Sequence, residues 1–231
     1  MEKSILLVED EDSIRKFIRI NLERNNYRVF EAENGELGLD IADKEKIDIA
    51  VLDVMLPGID GFQVCKTLRD KYPNMGIIML TAKSQDIDKI MGLEYGTDDY
   101  MTKPFNPTEL VLRVKSLARR VDSSPEDSTN KLLASGPFEI DVYSRKFYKN
   151  RSEIVLTPTE YSIAKLFLEQ QGRAFSRDEI LNIVWGYDFV GDSKIVDVNI
   201  RRLRSKIEND PGEPYFIETV WGIGYRWKTD K

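Results

Sequence analysis

The first half of the chain alternates short apolar runs with stretches whose apolar residues recur at helical spacing. The apolar runs predict five strands, at residues 5–8, 28–31, 49–52, 76–80 and 99–101. Helical patterns begin near Asp12, Asn34, Gly61, Ser84 and Asn106, and Asp12 or Ser13 is suited to cap the first helix. Strands and helices that alternate in this way are typical of a parallel sheet with helices on both faces. We therefore predict a doubly wound, flavodoxin-like α/β domain.

The second half follows a different pattern. Residues 122–130 have almost no apolar content and predict a flexible linker between a domain at 1–121 and a domain at 131–231. Short β-rich stretches with turn signals come next, then three helical patterns and a terminal strand, turn and strand. Thr157 and Pro158 are suited to the cap and first turn of the first of these helices. We predict an α+β domain here.

Composition narrows the functional classes. The 231 residues suffice for two modest domains, and no apolar run is long enough to span a bilayer, so we expect a cytoplasmic protein without membrane association. The single cysteine, Cys65, is expected to pack inside a helix. The chain has no histidine, which excludes histidine triads, histidine metal ligands and an internal phosphohistidine.

The net charge of -6 is unevenly distributed along the chain. Residues 1–121 carry 18 basic and 22 acidic side chains, and residues 122–130 add three acidic ones. Residues 131–231 carry 16 basic against 15 acidic side chains, so the acidity lies outside the second domain. Because nucleic-acid binding depends on local charge more than on the total, the overall acidity does not exclude a DNA-binding function.

Reactive side chains directly follow the predicted strands. Glu9 and Asp10 follow the first, Asp53 the third, Thr81 the fourth and Lys103 the fifth. In a doubly wound sheet these positions share the carboxyl edge, where ligands bind. Carboxylates gathered there would repel one another unless a divalent cation lies between them. Mg²⁺ (or Mn²⁺) fits such a donor set, and the backbone carbonyl of Met55 offers a further ligand.

Asp53 is the best-placed nucleophile of this group. A carboxylate can form an aspartyl phosphate when cations neutralise the incoming group. Lys103 would supply a positive charge to the phosphoryl oxygens, and the hydroxyl of Thr81 would donate a hydrogen bond to one of them. The Lys103–Pro104 bond is a candidate cis peptide that would aim the lysine.

The motifs of this half closely resemble two-component response regulators of the OmpR/PhoB type. The resemblance lies in Leu7-Val8-Glu9-Asp10, in residues 52–61, in Leu80-Thr81-Ala82 and in residues 96–105. It implies that Asp53 is the phosphoacceptor for a sensor histidine kinase and that Glu9, Asp10 and Asp53 hold the metal. It also implies that Thr81 and Tyr100 are a switch pair that moves on phosphorylation.

The resemblance further implies that the protein forms a homodimer when phosphorylated. In this family the fourth helix, fifth strand and fifth helix pair through charged side chains around an apolar centre. The matching positions are Lys89, Ile90, Leu93, Glu94, Asp98, Asp99, Glu109, Val111, Arg113 and Lys115.

The helical pattern at residues 193–208 is basic on its outward side. Val196, Ile200, Leu203 and Ile207 form an apolar stripe that would face the core. The opposite side would carry Lys194, Val198, Arg201, Arg202 and Ser205, with Asn199 and Arg204 flanking it. Such a surface can meet phosphates and base edges in a DNA major groove.

The second domain resembles a winged helix-turn-helix domain, through residues 156–161, 184–187, 196–204 and 218–226. The resemblance implies that the third helix enters the major groove of promoter DNA and that the terminal hairpin, the wing, touches the adjacent minor groove or backbone. The DNA-binding set then comprises Lys194, Val198, Asn199, Arg201, Arg202, Arg204, Thr219, Trp221 and Tyr225.

Two positions depart from the family pattern. Asn199 replaces a frequent histidine and Trp221 a frequent wing arginine, so Trp221 either packs on sugar or stays within the wing. The loop between Trp185 and Asp192 is one that many relatives use to contact RNA polymerase; here it is either such a contact or a plain connector.

The sequence thus predicts a phosphorylation-controlled transcriptional regulator that is not a turnover enzyme. Two alternatives stay open. A magnesium-dependent phosphohydrolase would need a second aspartate two residues after the nucleophile, where this chain has Met55. A DNA-binding protein whose receiver no longer accepts phosphate would dimerise constitutively, although Asp10, Asp53, Thr81 and Lys103 are all present.

Overall fold

The computed structural model describes residues 2–82, 95–122, 132–187, 189 and 191–229. Within these ranges the chain forms two compact units, Met1–Val121 and Asp122–Lys231. The predicted helix near Ser84 and nearly all of the predicted linker lie outside the described residues. Asp122, the first residue of that linker, instead ends a helix. No described helix is long and apolar enough to cross a membrane.

The first unit is built on a five-stranded parallel sheet, in the order β2-β1-β3-β4-β5. The strands are β1 (Lys3–Val8), β2 (Tyr27–Ala32), β3 (Ile49–Asp53), β4 (Gly76–Thr81) and β5 (Asp99–Thr102). The helices described in this unit are α1 (Asp12–Glu23), α2 (Gly35–Lys44), α3 (Gly61–Lys71) and α4 (Pro107–Asp122). The predicted doubly wound α/β fold is confirmed.

Strand residues alternate between two hydrophobic cores. Leu6, Leu52 and Met79 pack on one face of the sheet with α2 and α3. Leu7 and Val51, from the opposite side of the same strands, pack with α1 and α4. Because both faces are covered, the central strands are continuously apolar, and this is why their positions could be predicted closely. Cys65 is buried in α3, as expected.

Helix caps were predicted with mixed success. Thr157 caps its helix in a capping box with Glu160, and Pro158 occupies the first turn, as predicted. The predicted cap of α1 is wrong: Glu11 occupies the cap position without a side-chain cap hydrogen bond, and Asp12 pairs with Lys16 instead. An acidic side chain within the first turn still interacts favourably with the helix dipole.

The second unit contains two antiparallel sheets and three helices among its described residues. The first sheet runs β6 (Leu132–Ser135), β7 (Phe138–Asp141), β8 (Lys146–Lys149) and β9 (Ser152–Ile154). The helices are α5 (Pro158–Glu169), α6 (Arg177–Val184) and α7 (Lys194–Ile207). The second sheet has the order β10-β12-β11, with β10 (Ala174–Ser176), β11 (Ile217–Val220) and β12 (Gly224–Trp227). Helix α7 with the β11–β12 hairpin matches the predicted winged-helix arrangement.

Candidate functional site

Three carboxylates meet at the carboxyl edge of the parallel sheet. Glu9 follows β1 and Asp53 ends β3, and both are buried, whereas Asp10 is exposed. One oxygen from each of the three lies within 4.8 Å of the others. A cluster of hard oxygen donors that is open to solvent at Asp10 suits a divalent cation such as Mg²⁺, which retains several of its waters. The amide of Met55 donates to Asp53 Oδ1 at 3.3 Å, which brings this backbone beside the cluster.

Lys103 joins the cluster from the end of β5. Its Nζ lies 2.7 Å from Glu9 Oε2 and 2.7 Å from Asp53 Oδ2. The Lys103–Pro104 peptide bond is cis, as predicted. With these two distances, the ammonium group of Lys103 bridges the carboxylates of Glu9 and Asp53, which come from different strands. The same position allows it to contact an oxygen of a group attached to Asp53.

The electrostatics of the cluster favour a cation. Burial raises the pKa of Glu9 to about 7, and the neighbouring charge of Asp53 adds to this rise despite the hydrogen bond from Lys103. Burial alone would lower the pKa of Lys103, but its hydrogen bonds to Asp53 and Glu9 outweigh burial and raise it. A single lysine thus compensates the buried negative charge only partly.

Thr81 and Tyr100 lie on neighbouring strands at the same edge. Thr81 ends β4 and is fully buried, and its carbonyl accepts a hydrogen bond from the amide of Lys103 at 2.7 Å. In the β4–β5 register Thr81 pairs with Thr102, and Tyr100 pairs with Met79. Because these pairs are two residues apart, Thr81 and Tyr100 belong to the same face of the sheet. Thr81 therefore lies beside Lys103 and on the same face of the sheet as Tyr100, and the role of the two residues as a switch pair stays a prediction.

Two residues that support this site were not predicted from the sequence. Arg15 of α1 donates to the backbone carbonyls of Glu9, at 2.7 Å, and Asp10, at 3.2 Å. Gly61 begins α3 so close to β3 that a Cβ atom would collide with the carbonyl oxygen of Asp53. The glycine itself was visible in the sequence, but its contact is fixed by helix packing rather than by a local pattern.

The charges predicted for the dimer face are largely buried and paired within the chain. Arg113 bonds Asp99 at 2.8 Å and Glu109 at 2.7 Å, and Asp98 bonds Arg69 at 2.8 Å. Charges that pair across a dimer would have to be exposed, whereas Asp98, Asp99 and Arg113 are buried here. Asp99 and Arg113 are enclosed between β5 and α4, and Asp98 is paired with Arg69 of α3.

The remaining positions of the predicted face fall into two groups. Val111 is half-buried and Lys115 is exposed. Lys89, Ile90, Leu93 and Glu94 lie outside the described residues. The role of this face in dimerisation stays a prediction.

Helix α7 exposes a narrower basic face than its periodicity predicted. Lys194, Arg201 and Ser205 are exposed, as expected. Val198, Asn199 and Arg202 are buried, which corrects the predicted outward face. Asn199 Nδ2 donates to the carbonyl of Ile195 at 2.9 Å, so this side chain folds back onto its own helix. Packing against α5 and α6 and contacts with the hairpin leave only part of the helix circumference free.

Arg204 connects α7 to the hairpin. Its guanidinium donates to the carbonyl of Ile217 at 2.6 Å and to Thr219 Oγ1 at 3.0 Å. Thr219 is itself exposed. The sequence predicted a DNA contact for Arg204. In this structure its guanidinium instead bonds β11 and holds this strand against α7.

Tyr225, which the resemblance assigns to the DNA-binding set, is buried in this structure rather than exposed to a ligand. Its hydroxyl donates to Asp197 Oδ1 at 2.7 Å, and Arg177 Nε donates to the same oxygen at 2.7 Å. The guanidinium carbons of Arg177 and Arg204 lie 5.1 Å and 5.4 Å from the centre of the tyrosine ring. The ring is buried among these groups and joins α6, α7 and β12.

Trp221 and Tyr187 are exposed aromatic residues of the second unit. Trp221 lies in the turn between β11 and β12 and is 91% exposed. Of its two predicted placements, the one in which it stays packed within the wing is therefore excluded in this structure. Tyr187 lies in the loop between Trp185 and Asp192, of which Asp188 and Val190 are outside the described residues.

Comparison with known proteins matches both units to families. Residues 5–115 match the family described as "Response regulator receiver domain", and residues 151–227 match "Transcriptional regulatory protein, C terminal". The alkaline phosphatase synthesis transcriptional regulatory protein PhoP of Bacillus subtilis (strain 168) is 44% identical, over 100% of this chain and 99% of its own. The probable transcriptional regulator ycf27 of Cyanidium caldarium is 44% identical, over 96% of this chain and 92% of its own.

Solved structures show the same two-domain likeness. A mutant of RitR has a TM-score of 0.78 at 28% identity, with 99% of this chain and 100% of that chain covered. DrrB of Thermotoga maritima, described as an OmpR/PhoB homologue, has a TM-score of 0.52 at 34% identity, with the same coverage.

Proposed function

This chain belongs to the two-component response regulators of the OmpR/PhoB type, and we propose that Asp53 is the residue at which it accepts a phosphoryl group. As a member of this family it controls transcription through its receiver and DNA-binding domains. The observation that carries the assignment of Asp53 is its position between Lys103 and two further carboxylates. This combination of a nucleophile with positive charge and metal ligands suits phosphoryl transfer.

The reaction moves one phosphoryl group from a phosphohistidine of a sensor histidine kinase to Asp53. A carboxylate oxygen of Asp53 attacks phosphorus, the phosphorus–nitrogen bond breaks, and the electron pair returns to the imidazole of the kinase. Lys103 Nζ, which now bonds Asp53 Oδ2, transfers its contact to a phosphoryl oxygen. The hydroxyl of Thr81 donates to another oxygen and draws β4 toward the modified residue.

The metal site would consist of Glu9, Asp10, Asp53 and the carbonyl of Met55. The donor set fits Mg²⁺ or Mn²⁺ because it is made entirely of oxygen atoms and one carboxylate is exposed. A bound divalent cation would neutralise the charge on the phosphoryl oxygens. Arg15 supports the set by holding the carbonyls of Glu9 and Asp10.

Phosphorylation would then be relayed to DNA binding. Movement of Thr81 and Tyr100 would promote homodimerisation, and the dimer would bind promoter DNA through Lys194 and Arg201 of α7. In the cytoplasm, the bound dimer would contact RNA polymerase through the loop that contains Tyr187. The protein would use Asp53 once per signalling event rather than as a turnover catalyst.

Intact mass spectrometry tests the phosphoacceptor. We expect the full chain, incubated with acetyl phosphate and Mg²⁺, to gain the mass of one phosphoryl group, and Asp53→Asn to gain none. Asp60→Asn is the matched control, because Asp60 caps α3 outside the cluster and asparagine caps a helix equally well. Failure of the wild type to gain mass, under conditions that label another receiver domain, would contradict the proposal.

A further inference from the structure

The loop between β3 and α3 carries one of the proposed metal ligands. This β3–α3 loop comprises residues 54–60 and includes Met55, whose backbone carbonyl would complete the set of Glu9, Asp10 and Asp53. A ligand carbonyl can be placed only by the backbone that carries it, so the groups that hold this backbone determine its position. The affinity of the site for a cation therefore depends on what holds the loop.

Both ends of the β3–α3 loop are attached to regular structure. The amide of Val54 donates to the carbonyl of Leu80 in β4 at 2.9 Å, and the amide of Gly61 donates to the carbonyl of Val54 at 3.0 Å. Asp60, the last residue of the loop, caps α3 by accepting a hydrogen bond from the amide of Gln63 at 2.8 Å. These bonds fix where the loop begins and where it ends.

The middle of the β3–α3 loop is contacted by Glu36 of α2. Residues 55, 57 and 58 are exposed, and Leu56 between them is buried. The amide of Ile59 donates to Glu36 Oε1 at 3.2 Å. Gly58 has φ +76°, and a Cβ atom placed there would lie 2.6 Å from the same oxygen, so the carboxylate rests directly on the loop backbone. One side chain of α2 therefore contacts two consecutive residues of the loop.

The first turn of α2 fits closely against this loop. Asn34 caps α2 by accepting a hydrogen bond from the amide of Leu37 at 2.9 Å, so Glu36 lies in the first turn of a capped helix. Gly35 is buried, and a Cβ atom there would collide with the side chain of Ile59. Because Gly35 has no side chain, the loop approaches α2 closely enough for Glu36 to bond the amide of Ile59.

We propose that Glu36 is a positioning residue for the cation: by holding the β3–α3 loop against α2, it keeps the carbonyl of Met55 in place for the ion. This inference rests on the proposed metal site and goes beyond it, because Glu36 lies outside the ligand set. Release of the loop would let this carbonyl leave the near-octahedral arrangement that Mg²⁺ demands. The loss should fall on cation binding, since Glu36 bonds the loop rather than Asp53 or Lys103.

The charge of Glu36 gives a second way in which it could act, and the two can be separated. Removal of any carboxylate near the site weakens the attraction for a divalent cation, and salt screens this effect. Loss of the hydrogen bond to the loop is not screened in this way. Glu36→Gln separates the two effects, because glutamine keeps an acceptor oxygen but has no charge. Glu33→Ala is the matched control, since Glu33 is also an exposed carboxylate beside the start of α2.

Titration calorimetry of the full chain with Mg²⁺, without a phosphodonor, tests the role of Glu36. We expect Glu36→Ala to weaken binding about fivefold in both about 0.1 M and about 0.5 M salt. Glu36→Gln should stay within about twofold of the wild type, and Glu33→Ala should match it. If Glu36→Ala binds Mg²⁺ as tightly as the wild type, the inference is wrong. Equal losses in Glu36→Ala and Glu36→Gln, or a loss that disappears at the higher salt concentration, would assign the effect to charge and overturn it too.

Phosphorylation by acetyl phosphate gives a second measurement. Glu36→Ala should need about fivefold more Mg²⁺ for the half-maximal rate of mass gain and should reach the wild-type rate at saturating Mg²⁺. A deficit that saturating Mg²⁺ does not restore would contradict a role in cation binding. If the wild type binds no Mg²⁺, the proposed metal site fails and this inference fails with it. If the wild type binds Mg²⁺ but gains no phosphoryl group, only the phosphoacceptor proposal fails, and the calorimetric titration still decides the role of Glu36.

Discussion

At the scale of single residues, the cluster of Glu9, Asp10, Asp53 and Lys103 is a problem of charge balance. Glu9 and Asp53 are buried side by side, and Lys103 bridges them from within the protein. The cluster therefore relieves its remaining repulsion in one of two ways. Either Glu9 retains a proton, because burial and the charge of Asp53 raise its pKa to about 7, or a divalent cation replaces that proton.

Competition between the proton and the metal gives a pH-dependent affinity. We expect the apparent affinity for Mg²⁺ to increase as the pH rises from about 6 to about 8, since Glu9 must lose its proton to bind the ion. Titration calorimetry at several pH values would measure this. Glu9→Gln should bind Mg²⁺ more weakly, and its affinity should not rise with pH. Asp40→Asn, which alters an exposed carboxylate of α2 that is paired with Lys44, should keep the rise. An affinity for Mg²⁺ that is constant across this range in the wild type would contradict the prediction.

The stability of the fold should depend on pH in the opposite direction to the affinity for Mg²⁺. Because the pKa of Glu9 is higher in the folded chain than its ordinary value of 4.5, the folded state binds this proton more tightly than the unfolded state does. Without metal, the stability contributed by Glu9 is present below about pH 4.5 and is lost as the pH rises to about 7. Saturating Mg²⁺ should remove this loss, and thermal unfolding with and without Mg²⁺ would reveal it.

At the scale of elements, the contact between α3 and β3 sets the position of Asp53. We expect Gly61→Ala to lower the free energy of unfolding by about 1–3 kcal/mol, because the added methyl group pushes α3 away from the carbonyl of Asp53. Phosphate incorporation should fall with it. Gly212→Ala is the matched control, since a methyl group there approaches only the exposed side chain of Asp210. Unchanged labelling and stability of Gly61→Ala would disprove the role of this contact.

The ion pairs between β5 and α4 are a second feature of the elements. Removal of Arg113 leaves Asp99 buried without this cation, so we expect Arg113→Ala to cost about 3 kcal/mol of stability in the first unit. Glu109→Gln, which alters the more exposed partner, should cost less than about 1 kcal/mol.

The chain supplies its own control for this measurement. All three tryptophans lie in the second unit, so their fluorescence reports on the unfolding of that unit alone. In urea, Arg113→Ala should lower the midpoint of the transition that circular dichroism detects for the first unit, and the midpoint of the fluorescence transition should not change. If Arg113→Ala and Glu109→Gln lose the same free energy of unfolding, the burial of Asp99 does not determine the cost of removing its partner. If these charges form pairs across a dimer, they must first leave the pairs seen here.

The accuracy of prediction from sequence also differed between elements. Parallel strands buried on both faces are apolar throughout, so all five strands of the first unit were predicted within two residues at each end. The exposed face of α7 was predicted less well. A helical wheel assumes that only one side of the helix is packed, whereas α7 contacts α5, α6 and the hairpin. Asn199 bonds its own helix, and Tyr225 is enclosed by Arg177 and Arg204 from other elements. Contacts between elements distant in sequence leave no periodic signal.

At the scale of the whole molecule, signalling requires that the two units influence each other's equilibria. Phosphorylation at Asp53 can raise DNA affinity only if the phosphorylated state binds DNA better than the unphosphorylated state. Thermodynamic linkage then makes the effect reciprocal. If a ligand at Asp53 raises the affinity for DNA by some factor, DNA must raise the affinity for that ligand by the same factor.

This reciprocity can be measured with beryllofluoride, which binds aspartate non-covalently with Mg²⁺ in place of the phosphoryl group. We expect saturating beryllofluoride to tighten binding of a duplex, selected on the wild type from a random pool, by between about 5-fold and about 150-fold. Saturating duplex should tighten beryllofluoride binding by the same factor. Asp53→Asn should bind the duplex with the affinity of the unmodified wild type and respond to neither ligand. If beryllofluoride binds and the duplex binds but neither affects the other, the receiver does not control DNA binding, and the constitutive alternative becomes the better description of this chain.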